Sequence, residues 1–300
     1  MKVAEFGIEF EAMGTACRVR LAGADTASAR AAAEAAIAEV RRIEAKYSRY
    51  RADSIVSRIN AAAGSAQPVS VDDETADLLD FAASLHAASE GLFDITTGVL
   101  RRVWDFRAAK LPEPAALSAT LACVGWQHVQ WQRPFVALTR PGMELDFGGF
   151  GKEYAADRAG TLLVERGIAG GLVNLGGDIR VIGPRADGTP WPLGIAHPRR
   201  AGAVIASIAV AQGGLATSGD YERFFELDGR RYCHILDPRS GWPVQHWQSV
   251  SVLAPACLAA GALTTIAMLR GAAAHELLRS QGVGFLTVDP QGRIHEEMPG

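Results

Sequence analysis

Residues 216–244, ATSGDYERFFELDGRRYCHILDPRSGWPV, hold the densest set of groups able to handle a proton or a phosphate. Thr217 and Ser218 offer hydroxyls in a small-residue stretch that reads as a loop, where bare backbone lets a ligand come close. His234 lies in an apolar run, YCHIL, and Asp237 and Ser240 follow in the turn-rich DPRSGWP. An imidazole can take up or release a proton near neutral pH; in an apolar strand it can equally be a packed core side chain. YERFFEL and RRYCHIL flank Asp228-Gly229, the dipeptide of a two-residue hairpin. Such a hairpin predicts that the polar groups at its two ends meet in space.

Four other segments carry candidate groups. GGFGKEYAADRAG (148–160) places Gly149 and Gly151 before a helix, with Lys152 as a point charge. Exposed N–H groups and a positive helix end suit a phosphate, although the same residues make an ordinary strand-to-helix turn. The spacing is neither a P-loop nor a dinucleotide fingerprint. GLVNLGGDIRVIG (171–183) is two strands around Gly176-Gly177, either a plain β-turn flanked by Asn174 and Asp178 or a backbone platform for a flat ligand. FDITTGVL (93–100) offers Asp94 and Thr97 as helix caps or ligand contacts. Met13, Gly14 and Thr15 break a strand, and Tyr47 and Tyr50 follow a helix, where one could stack on a planar ring and the other pack.

These groups need elements to hold them. Alternation over 6–21 predicts a strand broken at 13–15. Asp25 or Thr26 caps an Ala-rich helix to about residue 46. Further helices are expected over 54–63, 72–89, 114–123, 150–166, 257–270 and 272–280. Strands are expected over 129–138 in two pieces around Pro134, and over 171–175, 178–183, 192–196, 203–210, 248–253 and 284–288. Strands mostly follow strands, with helices in separate blocks, which favours an α+β fold with antiparallel sheets flanked by helices. A 48% apolar share is ample for a core over 300 residues, and a net charge of -3 gives no footprint for nucleic acid. Cys17, Cys123, Cys233 and Cys257 are far apart and read as reduced thiols. No run is expected to reach the length of a membrane span, and no leader or lipid-anchor cysteine is visible, so the expectation is a cytoplasmic chain.

ATSGDYERFF…DGRRYCHILDPRSGWP resembles the signature segment of the ApbE family, the FAD:protein FMN transferases. The resemblance continues in order through EAMGTACRVRL, SRYRADSIVSRINA, GLFDITTGVL, LDFGGFGKEYAADRA, GLVNLGGDIRVIG and ALTTIAMLRG, and so spans nearly the whole chain. It implies one ApbE-like domain over 1–300 built as T-fold-like tandem halves. It implies FAD as substrate and Mg²⁺ as cofactor. The expected reaction moves FMN onto a Thr or Ser hydroxyl of an acceptor protein and releases AMP. On this likeness Met13 and Thr15 abut the isoalloxazine, beside which Tyr50 is the candidate for stacking read above, and Asp94 and Thr97 lie by the ribityl or nucleotide part. Gly149 and Lys152 cradle the diphosphate. Gly176, Gly177 and Asp178 meet the ligand's polar edge, Thr217 and Ser218 line the loop, and His234 with Asp237 serve the proton transfer.

One departure concerns the cation. The family motif carries an aspartate and a threonine as metal ligands; here the run is Gly261-Ala262-Leu263-Thr264-Thr265, with Thr265 matching the threonine and Gly261 standing in the aspartate's place. Gly151 matches a backbone carbonyl ligand. Two residues on, the family's glycine is Glu153. Glu153 is read either as a first-turn acid favoured by the helix dipole or as a carboxylate replacing the one absent at 261. The same departure keeps two other readings open: an FAD-binding protein without turnover, and a pyrophosphatase that splits FAD into FMN and AMP.

Overall fold

A computed structural model describes residues 5–23, 25–65 and 67–298. Where one interrupted strand is expected, the chain folds back on itself: β1 (Glu5–Ala12) and β2 (Thr15–Ala22) pair antiparallel with Ala12 opposite Thr15. Met13 (φ 54°) and Gly14 (φ 71°) both sit at positive φ, the geometry of a tight hairpin turn whose twist matches its strands. Asp25 then caps α1 (Thr26–Tyr47), accepting from the Ala27 and Ser28 amides. Ser54 caps α2 (Ile55–Ala61) and, past β3 (Val69–Ser70), Asp72 caps α3 (Asp73–Ala88). A 3₁₀ segment, Ile95–Arg102, leads to α4 (Pro114–Leu121) and the hairpin of β4 (Val129–Gln132) and β5 (Phe135–Leu138).

The second half supplies α5 (Gly151–Glu165), β6 (Gly170–Leu175), β7 (Asp178–Gly183), β8 (Trp191–Ala196), β9 (Val204–Val210) and β10 (Gly213–Gly219). After the small hairpin β11 (Phe224–Leu227) and β12 (Arg230–Cys233) come β13 (Ser249–Ala254), α6 (Cys257–Arg270), α7 (Ala274–Ser280), β14 (Gly284–Val288) and an unforeseen edge strand β15 (Ile294–Glu297). Eight strands join in one sheet in the order β1-β2-β6-β7-β10-β13-β14-β15, every pairing antiparallel. Period-2 alternation gives that sheet two uses. Ile179 and Val181 face the β8–β9 hairpin with Trp191, Leu193 and Val210. Their neighbours on β7, Arg180 and Ile182, lie against Gly160 of α5. The result is the expected α+β architecture: helices, sheet and a smaller sheet in layers.

The stretch ATSG, expected as a loop, is the end of β10. The small residues of β10 serve close packing: a Cβ at Gly214, just before ATSG, would lie 2.2 Å from the Cys257 amide nitrogen, so α6 rests almost on the strand. Ala216, Val250 and Val252 meet Ala260, Ala267 and Met268 of α6 in one buried cluster. Cys257–Ser280 is 24 residues long and its most apolar 18-residue stretch has mean hydropathy 1.5, enough by length and composition to cross a membrane, contrary to the expectation. Half of its most apolar stretch is buried inside the fold, and Gly271 (φ 58°) interrupts it before α7.

The crossing of α5 and α6 positions the site. No side chain of the preceding turn caps α6; instead Asp157 of α5 reaches across, accepting from the Cys257 and Leu258 amides at 3.0 and 2.8 Å. One carboxylate thus satisfies two of the orphan donors that every helix start leaves. Asp157→Ala should lose about 2 kcal/mol of unfolding free energy in urea, and Asp157→Asn, which keeps one acceptor, about half of that.

Candidate active site

One helical turn before Asp157, the start of α5 carries Lys152 and Glu153 (i, i+4 for the Glu153–Asp157 pair). No side chain caps α5, so its positive end is left open. Lys152 Nζ donates to Asp178 Oδ2 at 2.6 Å. Asp178 opens β7 directly after the Gly176-Gly177 turn and is 3% exposed. Burial works against the Lys152 charge, but Asp178 and Glu153 outweigh it and hold the ammonium above its ordinary value. Burial raises the Asp178 carboxyl; Lys152 and the Thr217 amide act in the opposite sense. The turn itself is built close: Gly176 (φ 69°) and Gly177 (φ 102°) occupy the left-handed region, and a Cβ on Gly176 would lie 2.6 Å from Thr15 Oγ1. Thr15 therefore covers the turn from β2, while Asn174 Oδ1 accepts from the Gly177 amide at 2.8 Å.

Hydroxyls line the next wall. Thr217 and Ser251 are register partners whose oxygens lie 2.8 Å apart. Ser218, on the opposite face of β10, reaches α6: its Oγ lies 2.8 Å from Thr264 Oγ1 and 3.4 Å from Thr265 Oγ1. Thr264 in turn donates to the Gly261 carbonyl at 2.8 Å. Glu153 is 7% exposed and faces Gly261. Burial, then the nearby Asp178 charge, push its carboxyl well above the usual range. Gly151 is the first residue of α5, four residues before Ala155 in the helical ladder.

His234 follows β12, its amide bonded to the Arg223 carbonyl at 3.0 Å. Its Nδ1 is buried with no hydrogen-bond partner. Burial and the Arg223 charge, with a further contribution from Lys152, bring the imidazole down to about 4. It is thus a neutral ring with one buried, unpartnered nitrogen, under the influence of the Lys152 charge. Asp237 does not orient it: the carboxylate accepts from the Arg239 amide at 2.7 Å and the Asp237 carbonyl accepts from Gly241, so this residue shapes the turn.

The remaining candidates make contacts of their own. Met13 is pinned in its left-handed conformation by its amide donating to Glu44 Oε1 at 2.6 Å. Tyr50 is 72% exposed, with the Arg49 guanidinium 5.1 Å from its ring centre; Tyr47, the other candidate, is core, packed on Phe147. Asp94 Oδ1 accepts from the Thr96 amide and hydroxyl, and Oδ2 from the Trp126 amide. Thr97 Oγ1 donates to the Asp94 carbonyl. These bonds cap the 3₁₀ segment, which abuts the glycine loop: the Asp146 amide donates to the Ile95 carbonyl, and a Cβ on Gly149 would lie 3.1 Å from Phe93 Cζ.

The start of α5, the Gly176-Gly177 turn with Asp178, and the Ser218–Thr264 contact between β10 and α6 are thus joined by contacts between segments distant in the chain. The family profile with this arrangement of segments, that of the ApbE family, matches residues 13–287. The chain belongs to the ApbE family. An FAD:protein FMN transferase of Salmonella typhimurium is 34% identical over 299 residues, covering 95% of this chain and 84% of that one. The ApbE protein of Thermotoga maritima superposes with a TM-score of 0.90 at 31% identity, over 98% of this chain and 97% of its own. The flavin transferase ApbE from Vibrio cholerae gives 0.85 at 26% identity, over 98% and 97%. Two groups in this ApbE-family site escape a reading by motif. Thr264 holds Ser218 in place, and the signal for it is spacing: Thr264 and Thr265 both follow Gly261 on one helix face. Tyr221 packs on Gly219, where a Cβ would lie 2.2 Å from its ring, an adjacency the sequence shows only as G-D-Y.

Proposed function

We propose that this chain is an FAD:protein FMN transferase that moves FMN from FAD to a Thr or Ser hydroxyl of an acceptor protein and releases AMP. The family match across residues 13–287 carries the reading, together with a site whose groups suit a diphosphate. The Gly176-Gly177 turn and the start of α5 offer close backbone, and Lys152 offers positive charge. The hydroxyls of Ser218, Thr264 and Thr265 and the buried Glu153 carboxylate form an all-oxygen set, which fits a hard cation such as Mg²⁺. When bound, such a cation neutralises diphosphate charge. The hydroxyl oxygen of the acceptor forms a bond to the FMN phosphorus, and the bond from that phosphorus to the bridging oxygen breaks. AMP leaves with that oxygen. The hydroxyl proton goes to His234 Nδ1, an open acceptor on a neutral ring.

Incubation with FAD, Mg²⁺ and an acceptor protein should give a flavin-fluorescent band that survives a denaturing gel, with AMP released in equal amount. AMP formed at the same rate without acceptor would replace transfer by hydrolysis. FAD bound intact with no AMP under any divalent metal would leave a binding protein.

A further inference from the structure

The α5–α6 crossing repeats itself one turn along each helix. Asp157 meets the amides of Cys257 and Leu258; four residues away on both helices, Glu153 meets Gly261. A Cβ at Gly261 would lie 2.5 Å from both Cγ and Oε1 of Glu153 and 2.7 Å from Cδ. The Glu153 carboxylate therefore fills the space that any side chain at 261 would need. Its Oε2 is buried and accepts no hydrogen bond. A buried carboxyl oxygen without a partner is costly and calls for an explanation. Lys152, the adjacent cation, is bonded to Asp178 instead. The other polar groups on this face of α6 are the Thr264 and Thr265 hydroxyls, joined to Ser218.

We propose that Glu153 is the carboxylate of a divalent-cation site and that Gly261 is what makes room for it, so that the two positions act as one exchanged pair. The carboxylate that the family resemblance leads one to expect at position 261 of α6 is delivered here from α5. Among the described residues no group of three or more His, Cys, Asp or Glu surrounds a common point. The protein thus supplies few ligands, and phosphate oxygens and water must supply the rest, as Mg²⁺ prefers. Cation affinity should then rise when a dinucleotide diphosphate is present, a consequence that rests on the flavin-transfer reading above.

The test titrates Mn²⁺ by electron paramagnetic resonance, with and without FAD, on wild type, Glu153→Gln, Glu153→Gly and the exchange E153G/G261D. FAD binding without metal, followed by flavin fluorescence, and thermal melting accompany each protein. Glu153→Gln should weaken Mn²⁺ about 10–100-fold while FAD binding without metal and the melting temperature are retained. Glu153→Gly should behave alike, and E153G/G261D, with its carboxylate restored from α6, should return Mn²⁺ affinity to within about threefold of wild type. Gly261→Asp alone crowds two carboxylates into one volume and should melt earlier. Wild-type Mn²⁺ affinity in Glu153→Gln, or an exchanged protein as weak as Glu153→Gly, overturns the inference. If wild type takes up no FAD, the flavin reading fails first, which the metal-free arm reveals separately.

Discussion

Lys152→Met should lose about 2–4 kcal/mol of unfolding free energy at neutral pH and most of its affinity for FAD. The ammonium is the partner of Asp178 at 2.6 Å, and the two are unequally buried: 35% of the Lys152 side chain is exposed against 5% for Asp178. Removing the lysine strands a carboxylate that water cannot reach, beside a second buried carboxylate, Glu153. Removing the aspartate strands an ammonium that can turn outward, so Asp178→Asn should lose only about 1 kcal/mol. The partial exposure of Lys152 is why the expected loss lies below the full value for a broken buried pair. The double variant K152M/D178N should be more stable than Lys152→Met alone, because an amide at 178 can keep the Thr217 amide bond without a charge. Urea unfolding of the four proteins closes the cycle. A Lys152→Met protein within about 0.5 kcal/mol of wild type would mean that Asp178 is satisfied from elsewhere. FAD affinity, read by fluorescence, should fall in Lys152→Met and stay low in K152M/D178N, since the charge proposed to meet the diphosphate is gone in both.

Local rules written in the sequence placed most elements. Asp25, Ser54 and Asp72 cap the helices they precede, and Asp228-Gly229 turns the β11–β12 hairpin at φ 51° and 72°. What local rules do not carry is which side chains face each other across helices. Lys152 and Asp178 are both visible as candidates, 26 residues apart, but their pairing is fixed by the docking of α5 on β7. ATSG looks like a loop because small residues are turn formers; here it ends a strand, with Ala216 packed among α6 side chains and Ser218 bonded to Thr264. Asp237, expected to share in the proton transfer with His234, has its carboxylate used by the DPRSGWP turn for the Arg239 amide. Glu153 and Gly261 are legible in the sequence as departures at two motifs, and the proposed exchange between them starts from that. Its spatial meaning needs the crossing of α5 and α6, which no periodicity encodes.

His234→Gln should slow flavin transfer about 10²–10⁴-fold while FAD binds as in wild type. The pH dependence separates a proton acceptor from a packing residue. The imidazole is held at about 4 against an ordinary 6.5, so the acid limb of kcat/KM should fall near pH 4–5 rather than at 6.5, and His234→Gln should flatten it. Stability follows the same group in a defined direction. Folded protein binds fewer protons at His234 than unfolded chain does between those two values. The stabilisation is therefore complete above pH 6.5 and drains as pH falls through 4, by about 2 kcal/mol between pH 7 and pH 5. Glutamine carries no such titration, so urea unfolding of His234→Gln should change less over that interval than wild type. A catalytic loss with an unchanged acid limb would assign the proton to another acceptor. A stability slope that survives the substitution would assign the acid sensitivity to other groups. The two readouts fail independently because one follows a proton passed to the ring during turnover and the other follows only the cost of charging it while buried.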